Sequence, residues 1–475
     1  SNGLVLITTK KGAEGPQRIG FKAMYGFSRP TQLPKTLDAY NYASLYNEAL
    51  VNDGRPAIYT QADLDAYRDG SNPFYRPNVN WQDEILRKET PYSRYNVDIS
   101  GGKQTAKYYV SLDYLDQQGL FKENDASLNS TNSNYKRYVF RSNVSLDLSR
   151  YITTSLNLFG RLQSGNEPGV TTTTLYNNII NTPANAYPIF NENGSLGASQ
   201  DFQQNNVYGQ NFMSGYQSGY TRDFRVDLAV KADLQKLTPG LWFRALSAIN
   251  TYLVQNTVRS KALVAFQQGV DGSGNVVYTQ YGTPADQTNY LETSNQNRVF
   301  YLQGELGYTK KVGSHNFDAL FIANNDYRMG GADLAYNING ISGKLGYNFK
   351  EKYLAQVAFA YNGTSERYAK GNGYGLFPAL GLGWNIKKED FFVNKAKWLN
   401  DLKLRTTFGR TGNFNANNYY TYNQYYNTTN VPGYNFGVNT GGNVAGIEQG
   451  ALANPNLTFE KANKFNVGID ASMFN

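Results

Sequence analysis

Apolar and polar residues alternate with a period of two along much of this 475-residue chain. In residues 223–235 the even positions from Phe224 to Leu234 are all apolar, whereas the odd positions are nearly all charged or amide residues. Successive side chains of a strand point to opposite faces, so this pattern predicts a strand with one apolar and one polar face. The same alternation occurs in 107–114 and 137–148, and further strands are predicted near 18–28, 152–162, 298–310, 341–349, 353–361, 378–386, 402–410 and 463–474.

Many of these strands are long, and the segments between them alternate in length. The short segments are 102–104, 149–150, 237–240, 312–313 and 350–352, with 388–400 as a longer exception on the same side, and the long segments are 29–91, 117–134, 165–219, 259–295, 329–338, 366–375 and 412–462. A soluble sandwich has strands of about 5–6 residues and no reason to sort its connections in this way. An outer-membrane barrel has tilted strands of about 9–11 residues, tight periplasmic turns and long extracellular loops.

The pattern therefore predicts an all-β fold, an antiparallel up-and-down transmembrane β-barrel with about 14 strands and long extracellular loops. Its even-numbered apolar residues in 223–235 should face lipid and the odd-numbered polar residues the lumen. Two of the loops are expected to carry helices, at 36–50 with Asp38 near the start and at 171–181.

Composition supports strands and turns: the chain has 39 Tyr, 26 Phe and 46 Gly. The net charge is +8 with a pI of about 9.1, but Lys and Arg are scattered, so we expect no nucleic-acid partner. No apolar stretch is long enough for a transmembrane helix. A mean hydropathy of −0.55 is compatible with a barrel, in which every second strand residue faces lipid.

Candidate chemistry is sparse. His315 is the only histidine and there is no cysteine. This excludes the usual zinc, copper and haem sites. We therefore expect no metal, no cofactor and no enzymatic activity. A catalytic triad would need His315, whose position after a short turn favours an interfacial place at a strand end. The sequence "VDGSGN" at 270–275 partly matches a calcium loop but lacks its spacing and closing Glu, and a hairpin turn fits better.

One candidate binding site lies in the segment 412–462. It is a cluster of five tyrosines, Tyr419, Tyr420, Tyr422, Tyr425 and Tyr426. Their ring faces could stack on sugars. The alternative is an aromatic girdle or a loop packed on itself.

Several segments then resemble one family, the SusC/RagA-type TonB-dependent transporters of the Bacteroidetes outer membrane. These segments are "SNGLVLITTKKG" (1–12), "NVNWQDEILR" (78–87), "YNVDISGGKQTAKYYVSLDYLDQQGLFK" (95–122), "GYGLFPALGLGWNIKKEDFF" (373–392), "LKLRTTFGRTGN" (402–413) and "ANPNLTFEKANKFNVGID" (453–470). They occur in family order and at family spacing over the whole chain. The segment "YNGTSERY" at 361–368 departs from the family's usual Arg-Asp-Gly-Ser-Ser.

The resemblance implies that the chain is an internal piece of a plugged barrel of about 22 strands. Residues 1–15 would be the C-terminal end of the plug domain, and 16–475 the N-terminal part of a truncated barrel. The continuous apolar run at 4–7 also favours a strand buried on both faces. The other interpretation makes 1–12 a first barrel strand.

The resemblance further implies active import across the outer membrane. Energy would come from the TonB–ExbB–ExbD complex acting through a region before residue 1, and a SusD-like surface lipoprotein would cover the barrel. The cargo would be an oligosaccharide (glycan) or a peptide. The alternatives are a passive porin and a barrel-anchored surface protein for binding or adhesion.

Overall fold

The computed structural model describes residues 10–123, 133–331, 333–364, 367–393, 398–413, 419–420, 422–429, 431–435 and 443–473. Within these ranges the strands are β1 (Gly15–Ser28), β2 (Thr90–Lys103), β3 (Ala106–Gln118), β4 (Asn134–Ser149), β5 (Ile152–Pro168), β6 (Gly215–Asp233), β7 (Leu241–Ser260), β8 (Ala265–Val270), β9 (Val276–Tyr281), β10 (Thr288–Val312), β11 (His315–Gly330), β12 (Tyr336–Phe349), β13 (Tyr353–Gly363), β14 (Tyr374–Asn385), β15 (Leu399–Asn413), β16 (Tyr426–Asn427), β17 (Tyr434–Asn435), β18 (Asn443–Val444), β19 (Glu448–Gln449) and β20 (Glu460–Met473).

Fourteen of the described strands form one sheet, in the order β1-β2-β3-β4-β5-β6-β7-β10-β11-β12-β13-β14-β15-β20. Every pair of neighbours is antiparallel and follows chain order. Strands β1 and β20 are its two edges. This up-and-down meander confirms the predicted sheet and its number of strands.

Because consecutive strands are antiparallel, successive links leave opposite ends of the sheet. The links at one end, here the long-link end, are 29–89, 119–133, 169–214, 261–287, 331–335, 364–373 and 414–459. Those at the other, the short-link end, are 104–105, 150–151, 234–240, 313–314, 350–352 and 386–398. The predicted sorting of links is confirmed, with one difference in detail. The link 331–335 is shorter than the predicted segment 329–338, because β11 extends to Gly330 and β12 begins at Tyr336.

The two faces of the sheet differ sharply in chemistry. On the outer face of β6, Phe224, Val226 and Leu228 are 40%, 37% and 41% exposed, whereas Asp223 on the opposite, polar face is only 2% exposed. The registers carry the same division from strand to strand. A water-soluble fold buries its apolar side chains, so this inverted arrangement is that of a barrel whose outer face meets lipid.

Six α-helices and one 3₁₀ helix occur in the described links. They are α1 (Ala39–Asn52), α2 (Gln61–Asp69), α3 (Trp81–Ile85), α4 (Thr172–Asn181), α5 (Val207–Phe212), α6 (Asp390–Val393) and the 3₁₀ helix Ile386–Lys388. The two predicted helices are confirmed. Asp38 caps α1 by accepting from the Asn41 N–H, and Thr171 caps α4 in the same way. In the described part of the chain, every helix is too short or too polar to cross a membrane.

The hydrophobic core of the chain lies in its links and not in the sheet. Links 29–89 and 169–214 pack together at the long-link end, and we call this unit the loop lobe. Its buried side chains are Trp81, Ile85, Leu86, Leu175, Ile179, Tyr187 and Val207, joined by Phe121 from the link 119–133. The Trp81 indole N–H donates to the Pro183 carbonyl at 3.2 Å, and its ring lies 5.0 Å from that of Tyr187. The two links are therefore one folded body.

At the short-link end, Glu389 fastens the link 386–398 to the sheet. Its carboxylate accepts from the Trp384 indole N–H at 2.9 Å and from Lys352 Nζ at 3.3 Å. The hydrogen bond from Tyr353, then that from Trp384 and the charge of Lys352, hold the pKa of Glu389 below its ordinary value. The ionised carboxylate is thus the form that the folded link prefers.

This contact predicts a loss of link stability in acid. Since the pKa of Glu389 is lower in the folded state, its contribution is fully present above the ordinary value of about 4.3 and is lost as the pH falls through the folded pKa. We expect the fluorescence of Trp384 to change in a titration with a midpoint below about pH 4.3. Glu389→Gln should remove that transition while Glu351→Gln, on the neighbouring turn, should keep it. An unchanged titration in Glu389→Gln would disprove the assignment.

Candidate functional site

Three carboxylates on the polar face are nearly buried, and each is held by arginine. Asp223 is paired with Arg161 at 3.3 Å and with Arg225 at 3.1 Å. The other two sets are Asp113 with Arg94 (2.8 Å) and Arg137 (3.6 Å), and Glu305 with Arg244 (3.4 Å). A carboxylate removed from water needs such partners. Except for Arg225 and Asp223, which lie on the same strand, the pairs join neighbouring strands and hold these charged side chains in defined positions.

The Phe159 ring lies between two arginine guanidinium groups, one on each side. Arg141 on β4 and Arg225 on β6 are its direct neighbours in register. Their Cζ atoms lie 5.4 Å and 5.5 Å from the ring centroid, within cation–π range. This places two guanidinium groups on the polar face, one on each side of the ring, with Arg225 also bound to Asp223. Their N–H groups can attract an anionic or hydroxyl-rich molecule.

The side chains on the polar face become smaller towards β15. Small residues dominate the inward positions there: Gly340, Ser342 and Gly346 on β12, Ala358 and Ala360 on β13, and Ala379, Gly381 and Gly383 on β14. Three of them, Gly346, Gly381 and Gly383, line a cleft of about 400 Å³ together with Asp318, Lys403 and Arg405. Lys344 pairs with Asp318 at 2.9 Å and Arg405 with Asp470 at 3.2 Å. This half of the wall is flat and open to a body in the lumen.

The chain before β1 lies on the polar face near the short-link end. Asn143 Nδ2 donates to the Lys10 carbonyl at 2.7 Å, and Glu14 pairs with Lys107 at 2.8 Å. Gly12 is so close to the backbone of Tyr108 that a Cβ would lie 2.3 Å from its nitrogen. Residues 10–12 thus pack across the wall and are not part of it. The predicted plug strand at 4–8 is outside the described residues, so its assignment stays a prediction.

The five tyrosines predicted as a binding site lie at the long-link end. The Tyr419 hydroxyl donates to the Leu334 carbonyl at 2.7 Å, and the Tyr425 hydroxyl donates to the Tyr419 carbonyl at 3.0 Å. The Tyr420 ring lies 6.3 Å from that of Tyr419 and 6.1 Å from that of Tyr422. These contacts bring Tyr419, Tyr420, Tyr422 and Tyr425 together and pack part of the cluster on itself, and Tyr426 follows them in β16.

Arg367 ties this cluster to the sheet. Its Cζ lies 4.8 Å from the centroid of the Tyr419 ring and 4.3 Å from that of Tyr336. Tyr425 and Tyr426 remain 44% and 62% exposed, so their rings are accessible to a ligand. Three links, 331–335, 364–373 and 414–459, meet at this point.

His315 and the "VDGSGN" segment have structural roles. His315 begins β11, lies within hydrogen-bond distance of the Tyr347 hydroxyl (2.9 Å) and packs on Phe349. Asp271 accepts from the N–H groups of Ser273 and Asn275 and closes the β8–β9 hairpin. In the ranges that the structure describes, no three acidic or histidine side chains are grouped to hold a metal ion.

The arginine pairs and the Arg141–Phe159–Arg225 row were missed by sequence reasoning. The alternation showed that these residues share a face, but their contacts depend on the registers between neighbouring strands. A one-residue change of register would move each side chain to the opposite face. The signal in the sequence that could have indicated these pairs was an arginine or an acidic residue at inward positions of consecutive strands.

The chain is similar to known TonB-dependent receptors along its whole length. The chain is 24% identical to the TonB-dependent receptor SusC of Bacteroides thetaiotaomicron, over 100% of this chain and 47% of that protein. A TonB-dependent receptor of Formosa agariphila is also 24% identical, with the same two coverages. The chain thus spans about half the length of the curated relatives it matches. No family model matches it.

Solved structures show the same fold. The RagAB peptide importer in its open-open state aligns with a TM-score of 0.67 and 18% identity, covering 98% of this chain and 53% of that chain. Its closed-closed state aligns with a TM-score of 0.66. The resemblance stated from the sequence motifs is confirmed over the full length of the chain.

Proposed function

We propose that this chain, which resembles SusC/RagA-type TonB-dependent transporters along its whole length, is part of an outer-membrane barrel that actively imports a nutrient. The observation that carries the proposal is the inverted sheet. Its outer face exposes apolar side chains, and its polar face holds buried carboxylate–arginine pairs. Such a wall suits a path for polar cargo through a bilayer.

The described side chains suit an oligosaccharide, with a peptide as the second cargo class. Exposed tyrosine rings at the long-link end offer faces for stacking on sugar rings. The Arg141–Phe159–Arg225 row and the amide-rich wall offer hydrogen bonds farther in. A peptide would use the same arginines for its carboxylates, and it is the cargo named for the structurally similar RagAB importer.

The partners follow from the same proposal. A SusD-like lipoprotein would cover the long-link end, and the TonB–ExbB–ExbD complex would act on the plug from the short-link side. The packing of residues 10–12 against β3 and β4 supports a plug that enters the lumen next to this wall. In this mechanism the protein is a transporter in the outer membrane, and the residues named here bind and guide cargo without chemical conversion.

Uptake of labelled oligosaccharide by cells that carry the full-length protein tests this function. We expect uptake to stop when TonB is deleted or the proton gradient is collapsed, while surface binding continues. Uptake that persists without TonB would instead identify a passive porin. Binding without any uptake in either strain would identify a surface adhesion protein.

The tyrosine cluster gives a residue-level prediction. Tyr426→Ala in the full-length protein should weaken oligosaccharide binding by roughly fivefold, the loss of about 1 kcal/mol of ring stacking. Tyr426→Phe keeps the ring and should bind normally. Tyr434→Ala changes an equally exposed tyrosine of the same link and serves as the matched control. Equal affinities of all three variants, measured by calorimetry, would assign the cluster a packing role only.

A further inference from the structure

A groove of about 570 Å³ lies on the outer face, among side chains that are otherwise bulky and apolar. Its floor is Gly304 of β10 and Ala323 of β11, which are direct partners in register. The side chains of Leu302, Ile341 and Tyr361 line it. A Cβ at Gly304 would have the Phe243 ring, 3.8 Å away, as its nearest neighbour. The floor is therefore open on the outer side.

A ladder of amides lies along one edge of this groove, on the same face. Asn325 Nδ2 donates to Asn337 Oδ1 at 3.2 Å and also to Asn339 Oδ1. Asn339 Nδ2 donates in turn to the Tyr374 hydroxyl at 3.4 Å, and the Tyr374 ring stacks on Tyr361. Asn325 Oδ1 has no protein partner among the described residues. The ladder therefore still offers an acceptor, and the Tyr374 hydroxyl offers its proton.

The ladder is close to the level where a bilayer's apolar region ends. Asn325 is five residues from the end of β11, and Asn339 is three residues from the start of β12. At the other end of the sheet, His315, Phe317 and Tyr347 form an aromatic row. From Tyr347 to Asn339 is about 26 Å along the strand. At the strand tilt of about 35–45° in outer-membrane barrels, this corresponds to about 20 Å across the bilayer, so the ladder lies just inside the edge of the apolar band of about 25 Å. Uncharged amides at this depth can reach the lipid headgroups.

We propose that this groove binds one membrane lipid, with an acyl chain over Gly304 and Ala323 and an uncharged headgroup on the amide ladder. The ladder has both donors and acceptors, and no charged side chain lines the groove, so hydroxyl or amide headgroups fit better than phosphate. Ile341, Leu302 and the Tyr361 ring supply apolar contact for the chain. The proposal requires only that the outer face lies in a bilayer, and it is independent of import and of cargo.

Native mass spectrometry of the full-length protein, released from nanodiscs, tests this. The discs are dioleoylphosphatidylcholine with a minor fraction of monoglucosyldiacylglycerol or, in parallel, of dioleoylphosphatidylglycerol. We expect the wild type to retain one glucosyl lipid in preference to phosphatidylglycerol. Ala323→Phe fills the groove and should abolish retention. Asn325→Leu combined with Asn339→Leu should reduce it by at least roughly fivefold through the lost hydrogen bonds.

Ala319→Phe is the matched control, since Ala319 lies on the same face of β11, four residues nearer the short-link end. It should retain the lipid as the wild type does. Heat-modifiable gel mobility confirms that each variant has folded. Equal retention in Ala323→Phe and Ala319→Phe, or no preference in the wild type, would overturn the proposal. So would a wild-type protein that proves dimeric and becomes monomeric in Ala323→Phe without lipid loss, which would assign the groove to a second copy of the chain.

Discussion

Leu228→Arg in the full-length protein is expected to lower the free energy of folding into a bilayer by about 2–4 kcal/mol. Leu228 is the middle one of five apolar outward positions on β6, which run from Phe224 to Ala232. Its side chain is 41% exposed, so there is no protein pocket to shield a charge. The guanidinium would have to enter hydrocarbon near the midplane or reach the interface at the cost of local bilayer distortion.

Two controls separate this explanation from ordinary core disruption. Tyr220→Arg places the same charge on the same face, beside Arg222 at the edge of the apolar band, and should cost about 0–1 kcal/mol. Asp227→Asn changes the opposite face and should also cost much less than Leu228→Arg. Urea titration of folding into phosphatidylcholine vesicles measures all three. Equal costs at Leu228 and Tyr220 would mean that the outer face is covered by protein.

The sheet was predictable from the sequence because its physics is local. A strand that separates lipid from an aqueous lumen must alternate apolar and polar side chains, and β6 follows this rule from Asp223 to Asp233 with Ala229 as the one exception. Antiparallel neighbours joined by tight turns need no long-range information, so strand order followed from link lengths. The start of α1 was visible for the same reason, since Asp38 acts within three residues of its own position.

The features of the structure that the sequence did not predict depend mostly on contacts between distant segments of the chain. Helix α2 has a capping box at Thr60 and Asp63, but its nine residues contain too few apolar positions for a clear helical period. Asp223 and Arg161 are in contact because the register of β5 and β6 places them directly opposite each other. A register shifted by one residue would put them on opposite faces of the sheet. The outer groove is likewise invisible in sequence, since Gly304 and Ala323 are adjacent only after β10 and β11 have paired.

Apolar side chains are exposed on the outer face of the sheet but buried in the loop lobe. In the sheet, Leu228 and Phe224 face outwards and Asp223 is buried, whereas in the loop lobe Ile179 and Val207 are fully buried. A link that is stabilised by its own hydrophobic core can hold its shape in water above the sheet. We therefore expect the loop lobe to have a stability of its own, separate from that of the barrel.

Trp81→Ala tests that separation. It removes a side chain that is 3% exposed, a hydrogen bond to the Pro183 carbonyl and the contact with Tyr187. Truncation of a buried tryptophan costs about 3–5 kcal/mol, and here the loss should fall on the loop lobe alone. We expect faster hydrogen exchange in α1 and α4 and a large loss of uptake, with heat-modifiable gel mobility unchanged because the strand pairings are intact. Trp398→Ala, which changes a half-exposed tryptophan at the short-link end, should leave exchange in α1 and α4 unchanged. If Trp81→Ala also prevented barrel folding, the lobe would have to be counted as part of the barrel's own folding unit.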